Sequence, residues 1–194
     1  MDFVGKRLKQ LLVCPTRAIP ELLETGSLGQ AANVVMASAV LGALSVWAYM
    51  TQDGAGAEIP VSIYAAQFVK PFLICLVWSS VCYALGCLAG GKGKLRPLLM
   101  MFGYLMVLDV LAYLYTLLRV GIGVLLPSLL EVLRLSDQLL ALGFFFWELL
   151  LTVLTVRIAL HLSTARAALV VLVPIVLLAL LSGVVLIALH GIAG

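Results

Sequence analysis

Charge is what this sequence has least of: Asp, Glu, Lys and Arg make up 11% of its 194 residues, while 64% are hydrophobic. A soluble domain is about a quarter charged and close to half apolar, so this chain has too little polar surface to cover a globule. Burial in a bilayer removes that shortage. The mean hydropathy of +1.20 agrees, and the composition specifies an integral membrane protein. A net charge of +3 is too small to point to nucleic acid.

Reactive residues are scarce too. There are 4 cysteines, at Cys14, Cys75, Cys82 and Cys87, and 2 histidines, at His161 and His190. Three of the cysteines share one apolar run with no CxxC pair or neighbouring histidine, which excludes a disulfide framework and a zinc site by spacing. They read as small apolar packers. The histidines are solitary, each near the end of an apolar run. No Ser/His/Asp order, HExxH or phosphate loop occurs, and "GGKGK" at 90–94 lacks the Walker spacing and a preceding strand. The expectation is a non-enzymatic protein with no cofactor and no metal. The opening "MDFVGKRLKQLL" lacks the continuous apolar core of a cleavable signal, and no Ser/Pro-rich linker divides the chain.

What is present is long apolar runs. A span needs about 20 apolar residues, and five segments qualify, at 28–50, 66–89, 97–118, 139–161 and 167–190. The prediction is all-α: a polytopic transmembrane bundle of five helices with an amphipathic interfacial helix before it. In residues 2–13, Phe3, Leu8, Leu11 and Leu12 alternate with Lys6, Arg7 and Lys9, a pattern for a helix lying at the headgroups. Pro15 ends it, and a second short helix follows with Pro20 near its start and Gly26 as its stop. Residues 1–26 thus form a cytoplasmic interfacial segment and 27–194 the membrane domain. The connection 51–60 reads as a polar turn. The stretch 119–138, "RVGIGVLLPSLLEVLRLSDQ", is too interrupted to span and is expected to lie along the surface.

Charge placement sets the orientation. With the amino terminus inside, Lys6, Arg7, Lys9, Arg17, Lys92, Lys94, Arg96, Arg157 and Arg166 are internal, and Lys70, Arg119 and Arg134 are external. The external connections hold Asp53, Glu58, Glu131 and Asp137. This positive-inside bias places the amino terminus in the cytoplasm and the carboxyl terminus outside. Snorkelling accounts for Lys70, Arg119 and Arg157 near span ends.

Two acids fall within spans, at Asp109 and Glu148, at a similar distance from the inner edge. Tyr113 and Thr116 share a helical face with Asp109, and Thr152 and Thr155 share one with Glu148. The set reads either as a proton, cation or solute site with one carboxyl protonated, or as neutral acids that hydrogen-bond a neighbour and specify packing. Lys6, Arg7, Lys9, Lys92, Lys94 and Arg96 form a basic rim, either an anionic-lipid patch or topology signals alone. Gly86 with Gly90, and Ser38 with Gly42, make small-xxx-small steps for close helix approach. Pro174 should kink the last span.

Three stretches then follow one another in order: "CPTRAIPELLETGSLGQAA", "GGKGKLRPLLMMFGYLMVL" and "HLSTARAALVVLV". Together they resemble the Yip1 domain family, over about residues 10–190, in the Cys-Pro turn before the first span, the Gly-Gly-Lys-Gly turn leading into Gly-Tyr, and the Ser-x-x-x-Ala entry to the last helix. The proline common in that family after Gly-Tyr is missing, and "GYLMVLD" carries Asp109 instead. The resemblance implies five spans and looks closest to compact prokaryotic members of an inner membrane, without the long soluble amino-terminal region of eukaryotic ones. The expected function is a membrane-organising or interaction module that binds anionic lipid and a partner membrane protein, or a second copy of itself. A small transporter or channel using Asp109 and Glu148, and an accessory subunit of a larger membrane complex, are the alternatives.

Overall fold

The structure, a computed structural model, describes the backbone of residues 2–52, 60–126 and 130–193, and side chains over 5–51, 60–126 and 137–183. Within these residues it is all helix: α1 (Asp2–Val13), α2 (Pro15–Thr25), α3 (Leu28–Gln52), α4 (Val61–Leu88), α5 (Leu95–Leu105), α6 (Val107–Leu125), α7 (Leu130–Leu160) and α8 (Thr164–Ala193). Helices α5 and α6 are two halves of one rod interrupted at Met106, so five helices are long and apolar enough to cross a membrane. The centre of the polar connection 51–60, and the side chains of Phe3, Glu131, Arg134 and His190, lie outside the described residues.

Local chemistry explains most boundaries. Pro15 occupies the first turn of α2, where a missing N–H costs nothing. Gly26 closes that helix by donating its N–H to the Leu22 carbonyl at 2.8 Å. At the end of α7, His161 takes a left-handed φ of 55° and Leu162 N–H reaches the Arg157 carbonyl at 3.0 Å. That is a Schellman stop with histidine where glycine usually sits. Ser163 then caps α8, its Oγ accepting the Arg166 N–H at 3.5 Å.

Two expectations change. Pro20 is not near a helix start but inside α2, because the chain breaks for a single residue, Cys14, and resumes helix at Pro15. The stretch 119–138 does not lie along the surface as one segment: its first residues prolong α6 and its last belong to α7. The reason is a charge pair. Arg119 Nη1 meets Asp137 Oδ2 at 3.0 Å and Tyr115 donates to Asp137 Oδ1 at 2.8 Å, so the polar residues that interrupt the apolar pattern satisfy one another between two extended helices.

In the bundle, α3 lies against α4 and along the whole α5–α6 rod, while α7 pairs with α8 and touches α4 and α5. Helix α2 packs on α5 and α7, and α1 packs on α2. Leu11, Ala18, Ile19 and Leu22 from these short helices enter the same buried cluster as Met101, Tyr104, Leu160 and Val171. The amino-terminal segment is therefore docked onto one end of the bundle and shares its core.

Candidate functional site

The amino-terminal end of the bundle is where the three sequence stretches meet. Ser27 caps α3 and its Oγ accepts the Gln30 N–H at 3.2 Å. In a capping box the side chain of Gln30 would return to the Ser27 N–H. Here Tyr104 intervenes: its hydroxyl donates to Gln30 Oε1 at 2.8 Å and accepts from Ser27 N–H at 3.3 Å. The Tyr104 side chain is buried, at 1% exposure. Beside it Gly103 abuts α3, where a Cβ would come within 2.9 Å of Ala31 Cβ.

The glycine-rich turn meets the third stretch. Lys92 N–H donates to the Leu160 carbonyl at 3.1 Å, and a side chain on Gly93 would strike the Ala159 carbonyl. Gly90 has φ +88°, a conformation that glycine alone adopts without strain. Arg166 crosses this turn and donates from Nη1 to the Ala89 carbonyl at 3.2 Å. The turn is thus an interlocking element, with Lys92, Lys94 and Arg96 exposed on it.

The basic residues separate into two kinds. Lys6 and Lys9 are exposed on α1, whereas Arg7 is buried at 7% exposure, with Nη1 3.3 Å from the Thr25 carbonyl and Nε 3.9 Å from Glu21. Arg7 ties α1 to α2. The exposed rim comprises Lys6, Lys9, Lys92, Lys94 and Arg96, to which the structure adds Arg17, Arg157 and Arg166.

The intramembrane acids are brought near each other but not level. Gly93 against Ala159 at one end and Tyr115 against Asp137 at the other set the same antiparallel register between the α5–α6 rod and α7. That register levels Glu148 with Tyr104 and Asp109 with Gly143, an offset of about five residues or roughly 7 Å. Asp109 sits in the first turn of α6, immediately after the interruption at Met106. It also lies within electrostatic reach of Lys70 and Glu148. Tyr113, one turn on, places its ring 3.2 Å from where a Gly42 Cβ would be, so it packs on α3.

Glu148 stands elsewhere. With Thr152 it lines a cavity of about 110 Å³ between α4, α7 and α8, walled by Trp78, Phe145, Val171 and Ile175. Thr155 is fully buried, and its hydroxyl has no hydrogen-bond partner among the described residues. The predicted track between α6 and α7 is therefore split into an α6–α3 part and an α7–α4–α8 part. Tyr104 entered the sequence reading only as part of a motif and Arg166 only as one internal charge among nine, yet they make contacts that join the three stretches. The Gly-Tyr pair was the available signal for the first.

A family model of the Yip1 domain matches residues 9–187. The chain belongs to the Yip1 domain family. No curated protein and no solved structure matches it. The matched range contains the contacts made by Tyr104, Lys92 and Arg166 but not Arg7, so the Yip1 domain here is the five-span bundle together with α2 and the last part of α1. The rod is interrupted at Met106, two residues beyond Tyr104, with no proline there.

Proposed function

We propose that this Yip1-domain protein is a non-enzymatic membrane-organising module. Its amino-terminal side faces the cytoplasm, its basic rim gathers anionic lipid, and its helix faces receive a partner membrane protein or a second copy. The observation that carries this reading is the docking of α1 and α2 onto the end of the bundle with Lys6, Lys9, Lys92, Lys94 and Arg96 left exposed on that side. Each cation near an anionic surface contributes about 1 kcal/mol of attraction. The nine-to-three bias of basic residues supports the cytoplasmic placement. The test is the lipid retained by the full chain after mild solubilisation. Neutralising the five rim residues to Gln should reduce the excess of anionic over zwitterionic lipid, and an unchanged ratio would sink the proposal.

One observation favours the transport reading: Glu148 and Thr152 line a cavity at membrane depth with no cation against the carboxyl among the described residues. Its separation from Asp109 and Tyr113 argues against one continuous path. Proton flux through the reconstituted protein decides between the two readings.

A further inference from the structure

The rim residues are scattered lysines and an arginine on exposed surface, which attract lipid without defining a place for it. One cation differs. Arg166 stands at the mouth of a crevice of about 180 Å³ between α4 and α8, and Leu85, Ala89, Leu169, Val170 and Val173 form the rest of the lining. Val170 is the buried wall at 4% exposure, while Leu169 and Val173 face outward at 61% and 42%. On a membrane-spanning bundle, that side is hydrocarbon. The crevice opens to the acyl chains and carries its only charge at the end where the basic residues cluster.

We propose that this crevice is a binding site for one anionic phospholipid, with the phosphate held by Arg166 and an acyl chain lying along the α4–α8 groove. Three features support the headgroup position. Arg166 is anchored by the bond from Nη1 to the Ala89 carbonyl, which fixes the guanidinium at the end of α4 and occupies one of its five N–H donors. Its remaining donors have no partner among the described residues, and the lining helices offer none, because neither α4 nor α8 contains an Asp or Glu. Gly90 leaves that side of the guanidinium bare, where a Cβ would rest in van der Waals contact with Nη1 at 3.5 Å. A planar fork with free donors over an apolar groove matches a phosphate ester attached to a hydrocarbon tail. Basic pockets between helices near one membrane surface are the usual form of such sites. A helix cap alone explains the bond to Ala89 but not the groove beneath it.

The inference rests on the lipid-binding reading of the amino-terminal side, but it assigns the tightest lipid to Arg166 and to none of the five rim residues. Native mass spectrometry of the full chain in mild detergent, titrated with phosphatidylglycerol or phosphatidylcholine, tests it. The wild type should retain a single phosphatidylglycerol at the lowest lipid concentrations, with a preference over phosphatidylcholine of about fivefold to tenfold. Arg166→Gln should abolish that preference. Val173→Trp, at an exposed position that fills the groove and leaves the core intact, should reduce retention of both lipids. The five-residue rim variant should still hold the first phosphatidylglycerol while losing the later, weaker ones. Inorganic phosphate at millimolar concentration should not displace it, because the groove contributes part of the affinity. A wild-type preference in Arg166→Gln, wild-type retention in Val173→Trp, or full displacement by phosphate overturns the proposal. Loss of the first lipid in the rim variant alone would also overturn it while leaving the broader lipid-rim reading standing.

Discussion

The hydroxyl of Tyr104 lies 2.8 Å from Gln30 Oε1, across 74 residues of sequence. By also accepting the Ser27 N–H it takes the place of the return bond of a capping box. The start of α3 is therefore completed by a side chain from α5.

Tyr104→Phe keeps the packing and removes both bonds. It is expected to destabilise the fold by about 1–2 kcal/mol, because the Ser27 N–H and the Gln30 carbonyl are left unpaired. Tyr104→Ala should cost about 3–5 kcal/mol by adding a cavity. Unfolding in mixed detergent micelles, monitored by tryptophan fluorescence, distinguishes these. A Tyr104→Phe variant as stable as the wild type would remove the capping argument.

Gly93 lies directly against the Ala159 carbonyl. A side chain there has a backbone atom as its obstacle, which cannot rotate away. Gly93→Val is expected to cost about 1–3 kcal/mol or more, while Gly121→Ala, with nothing within 4 Å of the new Cβ, should be nearly neutral. Melting temperatures by fluorescence-detected gel filtration check the contrast.

Arg119 and Asp137 join α6 to α7 at 3.0 Å, with the two side chains 30% and 21% exposed. A double-mutant cycle with Arg119→Gln and Asp137→Asn should give a coupling energy of about 0.5–1 kcal/mol. Additive single effects would show that Tyr115, and not the arginine, is the partner that matters to Asp137.

His161 holds a left-handed φ of 55°, a region costly for any residue with a Cβ. His161→Gly should stabilise the protein by about 1 kcal/mol. The imidazole lines a cavity of about 290 Å³ with Pro20, Glu24 and Pro97, so a stabilised variant that loses lipid or partner binding would mean that the strain serves that cavity.

Glu148 and Asp109 separate the functional readings. The membrane-organising reading expects no proton flux through liposomes containing the wild type, and unchanged lipid retention in Glu148→Gln and Asp109→Asn. Flux that vanishes in Glu148→Gln, with the melting temperature preserved, would move the function to transport.

Much of this was legible beforehand. The five spans follow from runs of adjacent apolar residues, and the stop at Gly26 follows from the glycine itself. Two boundaries were not. Residues 119–138 look too polar to extend a span until Arg119, Tyr115 and Asp137 are found to satisfy one another. Asp109 looks unexplained within a span until the interruption at Met106 turns its position into the first turn of a new helix. The sequence treated Lys6, Arg7 and Lys9 alike, and only packing buries the middle one.

By itself, then, the sequence determined the solvent, the number of spans and the distribution of charge between the two ends, because each is a sum over neighbouring residues. Tertiary structure decided which faces meet: Tyr104 with Ser27 and Gln30, Gly93 with Ala159, Arg166 with Ala89. In a soluble protein the apolar stripe of a helix marks its inward face. In a bilayer the outward face is equally apolar, so hydropathy no longer distinguishes the two. Shape and a few hydrogen bonds between distant residues choose the packing, and those belong to the assembled bundle.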